Sequence, residues 1–174
     1  MKKITLITAL ISMVCGLSAQ KTVNLKFNHK LGTSAFAFNQ KTSNDMSNDL
    51  NFNRCEYYIS KISIVHDGGK VSDATGVYSL VDPTSTATID LGMHTITTVE
   101  SINFSVGVDQ PNNNADPTKW ASSHPLAPKN PSMHWGWSAG YRFAAIEGKA
   151  GNSLSTTWEV HALGNKNYFD ISIP

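Results

Sequence analysis

Apolar side chains in this chain recur at every second position, segment after segment, and that period confines it to β-structure. Val23, Leu25 and Phe27 alternate with Asn24, Lys26 and Asn28. Tyr58, Ile62 and Ile64 share one face of the next run, and Ile102, Phe104, Val106 and Val108 share another. Tyr141, Phe143 and Ala145, then Trp158 and Val160, then Phe169, Ile171 and Ile173 repeat the pattern. Successive side chains of an extended strand point to opposite faces, so each run reads as a strand buried on one side. No segment carries a helical stripe; short helical turns are expected only near Asp116 to Trp120 and Thr42 to Leu50. Turn and loop chemistry separates the runs at Asp67-Gly68-Gly69, at Val81-Asp82-Pro83-Thr84 and along the polar stretch from Asp109 to Ser132. Seven or more strands joined in this way predict an all-β domain, an antiparallel β-sandwich or barrel-like fold with long functional loops.

The N-terminus predicts where the protein works. Lys2 and Lys3 precede an apolar stretch from Ile4 to Val14 that is too short to span a bilayer, and Leu17-Ser18-Ala19 forms a small-residue cleavage site before Gln20. Residues 1–19 therefore read as a secretory signal peptide and residues 20–174 as one β domain, in the periplasm, secreted or on the outer surface, with no transmembrane segment after processing. Cys15 lacks the leucine and small residue of a lipoprotein signal and belongs to the discarded peptide. Two of the 14 basic residues leave with it, against 13 acidic ones, so the mature chain is nearly neutral. Such a surface gives no electrostatic case for nucleic acid or acidic membranes. Cys55 is then the one mature cysteine, so no internal disulfide forms, and a monomer held together by packing is expected. Cys55 itself reads as a small buried hydrophobe, with a thiolate metal ligand as the alternative.

The densest chemistry lies between Ser132 and Gly148, where Met133, His134, Trp135 and Trp137 fall within five positions. Thioether and imidazole are side chains that suit copper and other soft or borderline metals. Trp135, Trp137 and Tyr141 are expected to alternate into the core and anchor the preceding connection, some two dozen residues long, which folds over one end of the sandwich. Among the histidines, His29 continues the inward face of Val23, Leu25 and Phe27, where an imidazole needs a hydrogen-bond partner or a metal. His94 follows Met93 and repeats the dipeptide Met133-His134. His161, between Val160 and Ala162, suits a structural hydrogen bond at least as well as ligation. His66 and His124 read as solvated. Calcium is a second possibility, with oxygen ligands from Asn44 to Asn53 or around Asp109, Asn112 and Asp116, although such loops usually bond their own backbone. The chain has no GxSxG, no HExxH, no phosphate-cradling glycine loop and no carboxylate pair placed for acid-base work, so it does not read as an enzyme. A different reading is an envelope sandwich that binds a glycan, peptide or protein through Trp120, Trp135 and Trp137.

The order YYISKISIV with Asp-Gly-Gly, INFSVGVD, HPLAPKN, MHWGWSAGYRFAAIEG and a closing VHALG resembles the MbnP-like domain family, secreted copper-binding proteins related to the MopE and CorA copper proteins of methane-oxidising bacteria. The resemblance runs from about Val23 to Ile173. It implies an all-β copper protein that is not an enzyme, of a kind that can depend on a di-haem partner of the cytochrome c peroxidase type, which oxidises one tryptophan to kynurenine. It also implies a ligand histidine two residues after that tryptophan and a second histidine downstream. Here those places fall on His29 and His94, with His161 and Met133 as lesser candidates. Phe27 stands in the tryptophan's place, and phenylalanine cannot become kynurenine. Trp135 or Trp137 is then the candidate for oxidation or for contact with the partner.

Overall fold

The computed structural model describes residues 20–85 and 88–174; the segment read as a signal peptide, with Cys15, lies outside them. The described residues form β1 (Lys21–Lys26), β2 (Lys30–Leu31), β3 (Ser34–Ala35), β4 (Thr42–Ser43), β5 (Asp49–His66), β6 (Lys70–Asp73), β7 (Ser79–Val81), β8 (Thr88–His94), β9 (Val99–Val106), β10 (Arg142–Ala150), β11 (Thr156–Leu163) and β12 (Phe169–Ile173). Every pairing between them is antiparallel. The all-β reading holds. Among the described residues no helix is long and apolar enough to cross a membrane.

The 18-residue β5 organises the molecule. An eight-stranded sheet runs β11-β10-β5-β9-β12, with β4, β6 and β7 also paired to β5, while β1 and β8 form a separate two-stranded ribbon. β5 is not one regular strand. Its register with β9 shifts between Ser60 and Ser63, and Lys61 within that bulge has φ +49°. One extra residue reverses the parity of the side chains, so Ile59 before the bulge and Ile62 and Ile64 after it all enter the same cluster. Tyr58 therefore lies in the other cluster, on the opposite face from Ile62 and Ile64. The period-two reading put all three on one face because a bulge leaves no mark in the hydrophobic pattern.

Two cores flank the sheet. The first joins Leu25, Ile89 and Leu91 of the β1–β8 ribbon to Ile59, Ile62, Ile64 and Phe104 of the sheet. The second joins Tyr58, Tyr141, Phe143 and Ala145 to Val108, Leu126 and Met133. Three of these come from the long connection after β9 or from its end, so that connection is a wall of the second core. It is pinned from the sheet side: Tyr58 Oη donates to Pro125 O at 3.1 Å, and Asn113 Oδ1 accepts from Tyr141 N at 2.8 Å. The short helical turn expected near Asp116 exists as a 3-10 turn, Pro117–Lys119, capped by the Asp116 side chain. The one expected at Thr42 to Leu50 does not form. That segment contains β4 and a turn in which Asn44 Oδ1 accepts from Met46 N and Asn48 N, both at 3.0 Å.

Candidate functional site

His29 is the histidine with the most distinctive setting. The inward face of β1 continues through Phe27 to His29, and the β2–β3 hairpin, turning at Gly32 with φ +59°, brings Phe36 back so that its N–H donates to His29 O at 3.1 Å. This fold-back presses the imidazole against β5. Nε2 is 2.8 Å from Tyr57 Oη, and the ring is boxed by Phe27, Tyr57 and Phe36 at centroid distances of 6.3, 5.8 and 6.4 Å. The aromatic wall continues from Phe36 to Phe52 and from Phe52 to Trp158. Nδ1 is buried and has no hydrogen-bond partner. Burial lowers the His29 pKa, partly offset by the charge of Asp82, so the ring is neutral at pH 7. Burial also raises the Tyr57 pKa, which keeps the phenol un-ionised. In the tautomer in which Nε2–H donates to the phenol oxygen, Nδ1 carries a buried lone pair with nothing to receive it; in the other, the Tyr57 hydroxyl donates to Nε2 and Nδ1 carries the proton. Cys55 lies two residues before Tyr57 in β5. Burial, with Asp82 and Glu56 nearby, pushes its thiol up to about 11, so it stays protonated at neutral pH.

The structure does not bring the other expected ligands to this corner. In the β1–β8 ladder His94 pairs with Lys21, while the end nearest His29 pairs Lys26 with Thr88. That ladder alone is about 17 Å long, so His94, in its last pair, sits at the end opposite the one that leads on to His29. His94 Nε2 lies 2.8 Å from Leu91 O, which holds the ring against its own strand. His161 Nε2 is 2.8 Å from Glu147 Oε1, and the same oxygen accepts from Arg54 Nη1 at 2.8 Å. Arg54 also donates from Nε to Glu56 at 2.6 Å and from Nη2 to Met133 Sδ at 3.2 Å. Met133 is thus buried in the second core with its sulfur engaged. Among the described residues, no three His, Cys, Asp or Glu side chains are grouped so as to hold a metal ion.

Trp135 and Trp137 do not enter the core; they are 60% and 63% exposed. The alternation breaks because the chain from His134 to Tyr141 is a tight hairpin. His134 bridges to Tyr141, Trp135 N donates to Gly140 O and Gly140 N donates to Gly136 O, both at 2.8 Å. Only Tyr141 turns inward. The Arg142 guanidinium lies 4.2 Å from the centre of the Trp135 ring, and Asn114 Nδ2 donates to Trp137 O at 2.9 Å, so the hairpin is tied to both neighbouring segments. His134 packs edge-on against Tyr141 at 4.9 Å and leaves Nε2 buried without a partner.

His66 is not solvated as expected, and His124 is only partly so. His66 is buried between Asp67 and Ser72, at 3.2 and 2.9 Å. His124 stacks on Trp120 at 4.1 Å with the rings 7° apart. The oxygen groups proposed for calcium serve the chain itself: Asp109 accepts from Tyr78, Asn112 donates to Tyr78, and Asp116 accepts from Thr118. Sequence alone does not single out Tyr57, Phe36, Arg54 or Glu147, whereas the hydrogen bond that His161 makes to Glu147 is one of the two roles its position suits. Arg54 and Glu56 at alternate positions within an apolar run were the visible sign that a polar network crosses the sheet.

A family model described as MbnP matches residues 20–173. Among solved structures, MbnP from Methylosinus trichosporium superposes with a TM-score of 0.68 over 88% of this chain and 71% of that one, at 16% sequence identity. At that identity the likeness speaks for the fold alone. No curated protein matches.

Proposed function

This chain belongs to the MbnP family, and from that premise we propose that it is a secreted copper-binding protein, not an enzyme, whose anchoring ligand is His29. The observation that carries the reading is the buried, partnerless Nδ1 of His29, with its other ring nitrogen fixed by Tyr57. Ligand histidines typically have their second nitrogen held by an outer partner, which sets the tautomer and aims the lone pair. Imidazole suits copper, with zinc as the competitor. Phe27, Phe36 and Tyr57 limit the water around Nδ1, and Phe27 stands where the resemblance expects an oxidisable ring, so copper here is held without kynurenine. The proposal leaves His94, His161 and Met133 outside this site, since each makes a hydrogen bond elsewhere in the fold. Elemental analysis after titration with Cu(I) and Cu(II) should find about one copper per chain, lost in His29→Ala and kept in His94→Ala and His161→Ala. Copper retained by His29→Ala sinks the assignment.

Secretion rests on the segment before Gln20. Mass spectrometry of the protein from its native envelope should find Gln20 as the new N-terminus; an intact Met1 or a lipid-bearing Cys15 refutes it. A second reading, binding of a di-haem peroxidase-like partner or another envelope molecule, is favoured by the exposed Trp135 and Trp137. Peptide mapping after exposure to a di-haem partner should find oxidation on this pair. Oxidation confined to Trp120 or Trp158 excludes the hairpin as the contact.

A further inference from the structure

A sheet that ends in open strands must keep its unpaired backbone groups from pairing with other chains, and proteins do so with charged side chains, proline, bulges or very short edge strands. The eight-stranded sheet ends in β11 on one side and in β12 on the other. β11 carries an exposed Glu159 in its middle and meets β10 with a register shift, so it has two of these guards. β12 has none. Its five residues match the usual strand length of about 5 to 6. They lie beside Val106 to Ile102 of β9 in five consecutive pairs with no register shift, and no proline interrupts them. Asp170 is the one charged residue of β12, and its carboxylate accepts from Ser105 Oγ at 2.6 Å, so it is drawn toward β9 and away from the free edge. Among the described residues no strand pairs with that edge, and four of the five β12 residues are exposed. Phe169 and Ile173 are 54% and 42% exposed, on either side of Ile171, which packs on the first core. Residues two apart share a face, so an apolar strip stands beside open backbone donors and acceptors.

We propose that β12 pairs antiparallel with β12 of a second copy of this chain, joining two sheets edge to edge about a two-fold axis at Ile171. The strand is complementary to itself in that register. Phe169 meets Ile173 of the second copy on both sides of the axis, Ile171 meets its own counterpart, and Asp170 meets Ser172. Apolar side chains thus face apolar ones, and no like charges are opposed. An interface of five residues a side is small, so the dimer is weak and reversible. The cysteine count led to the expectation of a monomer; the unguarded edge adds self-association to that fold. The interface is separate from the His29 corner and does not depend on copper.

The test uses the metal-free chain from Gln20 onward in sedimentation velocity from about 5 μM to about 1 mM, the range in which so small an interface associates. A reversible shift from monomer to dimer is expected, and in the unaltered protein the amides of residues 169–173 should exchange with solvent more slowly at the high concentration than at the low one. Phe169→Lys combined with Ile173→Lys opposes two lysines on each side of the axis and should weaken association about tenfold or more. Both positions are exposed, so the strand content read by circular dichroism should not change. Phe169→Glu combined with Ile173→Glu should act likewise, and an equimolar mixture of the two double variants should restore a dimer, because each lysine then meets a glutamate. Val160→Lys, exposed on β11, should leave association unchanged. A monomer throughout the range leaves the edge to a strand of some other protein and overturns the proposal. So does a dimer indifferent to the β12 lysines, a mixture that stays monomeric, a dimer lost in Val160→Lys, or exchange at residues 169–173 that does not slow as the dimer forms.

Discussion

His29 and Tyr57 form a pair whose two members can be separated. Tyr57→Phe removes the bond to Nε2 and leaves the aromatic wall, so the fold should survive while copper affinity falls by about 10- to 100-fold, the usual range for loss of an outer partner. Competition with a chelator of known affinity reads this directly; unchanged affinity would mean that Tyr57 does not orient the ring. Arg54 is the residue on which the opposite face depends. It is buried, and it binds Glu56, Glu147 and the Met133 sulfur together. Truncating one member of a buried ion pair leaves the other charge uncompensated, so Arg54→Ala should cost about 3 to 5 kcal/mol. Denaturant unfolding measures it, and a loss below 1 kcal/mol contradicts that role. Of these residues, His29 was legible because it extends an inward alternation. Tyr57 was not, because nothing local links positions 28 residues apart.

Among the elements, the hairpin from His134 to Tyr141 shows how one crowded motif divides between surface and core. Tyr141 is 1% exposed and bonded to Leu126 O, so Tyr141→Ala should cost about 3 to 5 kcal/mol. Trp135→Ala and Trp137→Ala should each cost about 1 kcal/mol or less, since their rings are mostly solvated. Thermal melts of the three variants settle the contrast. β10 carries a second constraint at Gly148, where an added Cβ would run into the Asn51 carbonyl oxygen and the Trp158 ring. No bulkier residue fits there. Gly148→Ala should therefore destabilise by about 1 to 3 kcal/mol and loosen the packing of Trp158 on Phe52, visible as a red shift in tryptophan emission. Wild-type stability in that variant would mean β5 and β10 can move apart freely.

At the scale of the whole molecule, both cores bear on how stability responds to acid. Burial lowers the pKa of His29 beside the first core and of His124 and His134 at the wall of the second. In the unfolded chain these rings titrate near 6.5, so as pH falls through about 6.5 the unfolded state takes up protons that the fold resists. Stability is therefore fully present above that pH and is lost as it drops toward the lower folded values. The melting temperature should fall steadily from pH 7.5 to pH 5, and replacing the three histidines with glutamine should flatten the profile; a flat profile in the parent protein contradicts the burial. The amino-acid sequence by itself determined the all-β class, the antiparallel strands and the inward run to His29, because alternation is a local property that any extended chain must express in the same way. Only the tertiary structure decided where each histidine falls and what it touches. The antiparallel register of β1 with β8 sets His94 at the far end from His29, the bulge at Lys61 reverses the faces of β5, and the hairpin after Met133 turns two tryptophans outward. Each is fixed by pairing between segments distant in sequence, and no local pattern records that pairing.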